Sequence, residues 1–445
     1  MAHAMLQKII SSWDRLRLFD KAIYYFCQTR QYLLRSDLTA ADAHTALALK
    51  TMRDSGTYIG LCMIHLLAAQ VKRGVGRPRE AWNYLHEAFR LAERLKSKIF
   101  EFDGLMIEAQ FHFEEGDEAL GLVSLRKALA LGKAREFTNT CVDQPAVTAG
   151  LCIKALEEGI EVPYVQYIIR KRKLIPEKPP LHLENWPWSL KIYTLGKFEL
   201  QKDDQPLQFS GRVQKKPLEI LKTLVAFGGS EVSEGEITDF LWPDADGEAA
   251  HSAFTTTLSR LRKLIGNDKA IELREGKATL DTRYCWVDAL AFERISNEIE
   301  VEFRRIGEDQ TERDDGDGKI LLLTEKALGI YRGHFLPADE GYLWATSCRE
   351  RLRTKFFRLI ARLGEYLEKR SRWEKAIEYY QRGLDIDDLA EEFYQHLMIC
   401  YRQIGQRAKA IETYRRCKRT LTAVLGIEPS LKTQAIYKAI RENGK

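Results

Sequence analysis

Lys375-Ala376-Ile377-Glu378 is repeated unchanged as Lys409-Ala410-Ile411-Glu412, and Leu363 and Tyr380 have counterparts at the same offset of 34 residues, Leu397 and Tyr414. A period of this size argues for an array of helical hairpins, in which one hairpin cannot bury its own apolar face and must stack on the next. Apolar spacing places the helices at about 354–369, 373–384, 391–404 and 408–425. A second array is legible nearer the start. Residues 79–92 and 117–131 read as two copies of one unit about forty residues apart, with Ala88 and Ala128 late in each. Turn residues precede both copies, Gly74 to Pro78 in one case and Glu115-Gly116 in the other. Residues 1–175 therefore read as a helical solenoid, whose concave face suits a peptide or protein partner.

Between the arrays the periodicity changes. Pro176, Pro179 and Pro180 mark a stiff linker over 176–189, and Trp186 and Trp188 are expected to dock on the next domain. Residues 190–200 alternate as strands do, and residues 206–209 come after an Asp203-Asp204 turn. Residues 216–225 read as a helix with Pro217 in its first turn. After Gly228-Gly229, Ser233 and Glu236 form a capping-box pattern for a short helix that Trp242-Pro243 ends. The long segment 248–266 comes next. Residues 270–273 and 277–281 then flank Arg274-Glu275-Gly276 as a hairpin, and Trp286, expected in the core, leads to a domain end at 288. Helix, helix, long helix and hairpin is the order of a winged helix-turn-helix.

On the long segment, Phe254, Leu258, Leu261 and Ile265 fall in one stripe, with Ala250 at its edge. Ser252, Thr256, Ser259 and Lys263 project to the other side, flanked by Thr255, Arg260 and Arg262. Hydroxyls and cations on one face suit phosphate oxygens and base edges. Arg212, Lys215 and Lys216 precede the first helix and are candidates for phosphate, with solvent exposure the alternative for Lys216. Arg274 and Lys277 flank the wing turn and complete the expected DNA-binding set. His251, at the rim of the long helix, is as well placed to cap or pack as to touch DNA.

Residues 232–242, the run Ser259-Arg260-Leu261-Arg262-Lys263-Leu264 and the wing resemble OmpR-type winged helices, and most of all the antibiotic-regulatory-protein branch (AfsR/DnrI/RedD-like). Thirty-four residues is the tetratricopeptide period. Tyr331 to Pro337, Trp344, Arg349 to Leu352 and Leu425 to Ser430 around the C-terminal repeat resemble the bacterial transcriptional activator domain. The solenoid resembles tetratricopeptide-type, MalT-like regions. The resemblance implies a winged helix at 190–288 and an activator domain at 289–445. It further implies an activator that binds promoter direct repeats in double-stranded DNA, self-associates there and contacts RNA polymerase. Larger relatives carry a nucleotide-hydrolysing switch, so this chain reads either as a short regulator or as one whose partner is a separate sensor or ATPase protein.

The bulk charge is only +5, and within 190–288 acidic residues slightly outnumber basic ones, so DNA binding must rest on local clusters. That near-neutrality keeps open a rival reading, a protein-interaction scaffold whose winged helix no longer binds DNA. Residues 167–173 are a basic run best read as a solvated helix end, and residues 311–318 an acidic linker with the wrong residues for a calcium loop. No phosphate-binding loop, H-E-x-x-H or G-x-S-x-G motif occurs, the eight cysteines show no zinc spacing, and no apolar run approaches a membrane span. The expectation is a cytoplasmic, mainly α-helical regulator without cofactor or catalytic activity.

Overall fold

The structure is a computed structural model that describes residues 13–176, 178–208, 215–308, 315–339 and 341–442. It divides into two compact units, Met1–Pro187 and Trp188–Lys445.

The first unit is built on a twenty-residue step. Six helices of 17 residues, α1 (Leu18–Leu34), α2 (Leu38–Asp54), α3 (Tyr58–Gly74), α4 (Pro78–Arg94), α5 (Lys98–Glu114) and α6 (Glu118–Ala134), begin at that constant interval. Each is followed by one left-handed residue, successively Ser36, Gly56, Gly76, Lys96, Gly116 and Glu136. After α4, for instance, the Ser97 N–H reaches back to the Ala92 carbonyl at 2.9 Å, closing the last turn as in a Schellman cap. The helices pair as α1–α2, α3–α4 and α5–α6, so the forty-residue unit inferred from residues 79–92 and 117–131 is one such hairpin. Ala88 and Ala128, the recurring alanines, are both buried. Two more helices, α7 (Pro145–Glu157) and α8 (Val162–Arg172), end the array. The segment expected to be a linker is partly folded onto them. Asn185 Nδ2 donates to the Leu156 carbonyl at 3.1 Å, Gln166 Nε2 donates to the Asn185 carbonyl at 2.7 Å, and Leu183 and Trp186 are buried.

The second unit starts with strands β1 (Leu190–Tyr193), β2 (Glu199–Lys202) and β3 (Gln205–Pro206), followed by α9 (Lys215–Ala226) and β4 (Val232–Ser233). Next come α10 (Glu234–Leu241), α11 (Gly247–Ile265), β5 (Ile271–Arg274), β6 (Lys277–Leu280) and β7 (Cys285–Val287). One sheet runs β3-β2-β1-β7, with β7 parallel to β1, and the other runs β4-β6-β5. Glu275 and Gly276 both have positive φ, the signature of a two-residue hairpin turn whose twist matches its strands. Trp286 is in the core, as its sequence position suggested.

The remaining helices are α12 (Asp288–Glu308), α13 (Asp315–Ile330), α14 (Leu343–Lys369), α15 (Trp373–Ile386), α16 (Glu391–Gln403), α17 (Arg407–Leu425) and α18 (Leu431–Glu442). The acidic segment read as a linker is corrected here: residues 311–314 lie outside the described residues, and 315–318 form the first turn of α13. The two copies of the Lys-Ala-Ile-Glu sequence lie near the starts of α15 and α17. Their alanines, Ala376 and Ala410, are both fully buried, as are Tyr380 and Leu363. The protein is mainly α-helical, with an N-terminal helical-repeat region, a small β-containing winged-helix region and a C-terminal tetratricopeptide-like domain.

Candidate nucleic-acid interface

α11 begins and ends on local signals. Asp246 accepts the Ala249 N–H at 2.8 Å, and Gly266 takes the left-handed conformation that lets the chain leave. Ala250, Phe254, Leu258, Leu261 and Ile265 are buried, as the stripe requires, and Thr257 joins them. Lys202 reaches from β2 to the Gly266 carbonyl at 3.4 Å, placing a cation at the negative end of the helix.

Ser252, Thr255, Thr256, Ser259, Arg260 and Lys263 are all exposed on α11. The Thr255 hydroxyl donates to the His251 carbonyl at 2.9 Å, so its free valence is an acceptor. His251 faces Glu234 at 2.6 Å, and that carboxylate, with Asp244, Asp246 and Glu248, makes the N-terminal end of α11 acidic. The cations Arg260 and Lys263 lie in its C-terminal half. A phosphate therefore finds attraction at the second half of the helix and repulsion at the first.

Several other candidates have partners within the protein. Arg262 donates through Nε and Nη2 to the Ile271 carbonyl at 3.2 and 2.8 Å, joining α11 to β5. Lys216 donates to the Leu241 carbonyl at 2.7 Å, pairs with Glu219 at 3.2 Å and lies over the Trp242 ring, which holds α9 against α10. Lys215 stays exposed beside Tyr342, whose hydroxyl, ahead of Glu219, holds its ammonium above the usual lysine value. Arg274 of the wing pairs with Glu272 at 2.6 Å, and Lys277 across the wing turn lies 3.9 Å from Glu231, which precedes β4; Arg274, Lys277 and Glu231 are exposed. Arg212 lies outside the described residues.

The winged helix and the helices behind it are joined by a buried carboxylate that sequence reasoning did not single out. Asp288, 2% exposed at the start of α12, accepts from Thr194 N–H at 2.7 Å, Thr194 Oγ1 at 2.6 Å, Leu195 N–H at 2.8 Å and Ala289 N–H at 2.7 Å. Burial raises its pKa to about 6 against the pull of those donors. The segment it fixes also pairs with the loop before α14: Leu195 bridges Phe335, and the Leu336 N–H donates to the Thr194 carbonyl at 2.8 Å. Gly196 and Gly333 meet there with positive φ, and a Cβ on Gly196 would stand 2.9 Å from the Arg332 carbonyl oxygen. Arg349 closes the loop by donating to the carbonyls of Phe335, Leu336 and Asp339. Lys222 of α9 reaches Asp339 at 2.7 Å. The sequence signals for this joint were the Tyr331-to-Pro337 and Arg349-to-Leu352 motifs.

Residues 300–441 match the family model of the bacterial transcriptional activator domain. That match lies in the C-terminal third of the chain, over most of α12 to α18. Over 260 residues, 58% of its length, the chain is 25% identical to the regulatory protein AfsR of Streptomyces griseus. It covers 25% of that protein, so this chain spans about a quarter of the relative's length. Among solved structures it is similar to Mycobacterium tuberculosis EmbR in complex with a low affinity phosphopeptide. The identity is 19%, with 58% of this chain and 66% of that one covered and a TM-score of 0.43. It is also similar to the TPR domain of P58(IPK), 12% identical over 95% of this chain and 93% of that one, with a TM-score of 0.19. Among the described residues, no helix is long and apolar enough to cross a membrane and no group of three His, Cys, Asp or Glu could hold a metal ion.

Proposed function

We propose that this chain is a DNA-binding transcriptional regulator, an activator rather than an enzyme, whose α11 enters the major groove of promoter DNA. The observation that carries the reading is the exposed row Ser252, Thr256, Ser259, Arg260 and Lys263 on a helix anchored by five buried apolar residues and followed by a hairpin wing. Such a face offers hydroxyls to base edges and cations to phosphates. Thr255, Lys215, Arg274 and Lys277, with Arg212, complete the contact set, while Arg262 and Lys216 act by holding the domain together. The winged helix extends over 190–288 and the activator domain over 289–445. The latter serves self-association on direct repeats and contact with RNA polymerase, and the solenoid offers a concave face to a protein partner.

The scaffold reading has its own support, the excess of acidic over basic residues in 190–288 and the internal engagement of Arg262 and Lys216. One experiment separates the two. The full chain is mixed with fragmented host DNA at about 0.15 M salt and the bound fragments are sequenced. A repeated motif at a spacing of about one helical turn supports the regulator. Recovery of fragments with no common sequence and with steep salt sensitivity favours the scaffold.

A further inference from the structure

Charge is unevenly spread over the second unit. From Arg402 to Glu442 there are ten Lys and Arg against three Glu, a net of seven positive charges in a chain whose total is +5. From Thr223 to Ser259 there are seven Asp and Glu and no Lys or Arg at all. The first stretch centres on α17 and α18, which pack on α16 and on each other, and the second on α10 and the start of α11.

The α17–α18 edge is unusual for the end of a helical-repeat array, where a polar outer face keeps the protein soluble. α17 buries only Ala410, Cys417 and Leu421. A groove of about 1060 Å³ runs beside it, walled by Glu412, by Arg415, Lys418 and Arg419, of which Lys418 pairs with Glu428 at 2.8 Å, and by Tyr437, which stacks on Tyr414 at 3.9 Å. Over the α17–α18 turn, Val424, Leu425, Ile427 and Leu431 are all exposed, Leu431 to 85%. Cations beside exposed aliphatic side chains suit a protein surface that is both acidic and apolar better than a phosphate backbone, which offers nothing to the aliphatic groups.

The acidic corner has that composition. Asp239, Asp244 and Glu248 are exposed, and Phe240 between the first two is 46% exposed. The basic edge cannot pair with its own copy across a twofold axis, because like charges would face each other. Pairing of unlike surfaces, either reciprocally about a twofold axis or head-to-tail, brings opposite charges together. We propose that the basic, apolar edge of α17 and α18 docks on the acidic α10–α11 corner of a second copy of this chain. The proposal deepens the self-association named above, and it does not depend on DNA binding by α11.

The test is sedimentation velocity of the full chain without DNA, at about 0.05 M and about 0.5 M salt, which differ several-fold in screening length. Concentration-dependent association at low salt, lost at high salt, is expected. Arg415→Glu/Arg419→Glu and Asp239→Lys/Asp244→Lys should each weaken it about tenfold or more, since each sets like charges opposite one another. An equimolar mixture of the two variants should associate again, because both contacts in the mixture join opposite charges, and this recovery also shows that both variants are folded. A chain that stays monomeric at low salt, or a mixture that does not recover, overturns the proposal. Unchanged self-association with reduced binding of Arg415→Glu/Arg419→Glu to random-sequence DNA would also overturn it and assign the edge to nucleic acid. The selection on host DNA is scored separately, so either reading can fail alone.

Discussion

Replacing Asp288 with Asn tests the joint between the winged helix and the helices beyond it. The carboxylate is buried and its pKa is raised from 3.8 to about 6, first by desolvation. Between these values the folded protein holds a proton on Asp288 that the unfolded chain has released, so this group favours folding at low pH and loses that contribution as pH rises through about 6. Acidification from pH about 7.5 to about 5 should therefore stabilise the wild type by about 1.4 kcal/mol through this residue alone. Asn does not titrate. With its oxygen in place of Oδ2 it still receives the Thr194 and Leu195 N–H groups, but the Ala289 N–H then faces an amide donor, which costs about 1–3 kcal/mol. The expected result is a penalty for Asp288→Asn that is about 1.4 kcal/mol larger at pH 5 than at pH 7.5. The assay is urea unfolding of the full chain at both pH values, followed by circular dichroism. An equal penalty at both, or a larger one at pH 7.5, would refute the argument, because it would mean that the four donors outweigh desolvation and keep Asp288 ionised.

Three further outcomes are expected. Arg260→Ala and Lys263→Ala should leave stability unchanged and each reduce the slope of log affinity against log salt by about one unit in DNA titrations, whereas Arg262→Ala should lower stability by about 1–2 kcal/mol because the Ile271 carbonyl loses two charged donors. Lys96→Gly and Glu136→Gly should each raise the stability of the first unit by about 0.5 kcal/mol in chemical denaturation, since both residues sit at left-handed φ where three of the other four turns of the series carry glycine, Gly56, Gly76 and Gly116, and the fourth Ser36. Gly196→Ala should cost about 2 kcal/mol or more, read as a lower unfolding midpoint, because its φ of +84° strains a side chain and the Arg332 carbonyl occupies the space a Cβ needs.

Residue spacing by itself determined the helices and much of the core. The 34-residue repeat and the forty-residue unit gave helical hairpins in both arrays, and the stripe from Phe254 to Ile265 gave the buried face of α11 together with its exposed hydroxyl row. Ser233 with Glu236 and the Glu275-Gly276 turn set local boundaries, since caps and turns depend on residues within a few positions of each other. Contacts between distant segments were decided only by the tertiary structure. From the sequence Arg262 was a candidate for DNA and Lys216 for DNA or solvent; Lys216 is indeed exposed, and the donors of both also meet carbonyls, of Ile271 and Leu241, 9 and 25 residues away. Asp288 had read as the last residue of a domain. Its partners lie 93 and 94 residues earlier, across a parallel strand pair that no local period encodes. Periodicity tells which face of a segment is buried, because that comes from helix and strand geometry alone. Which polar group meets which depends on the packing of segments far apart in the chain, and that packing gave two of the expected DNA-contact side chains partners within the protein.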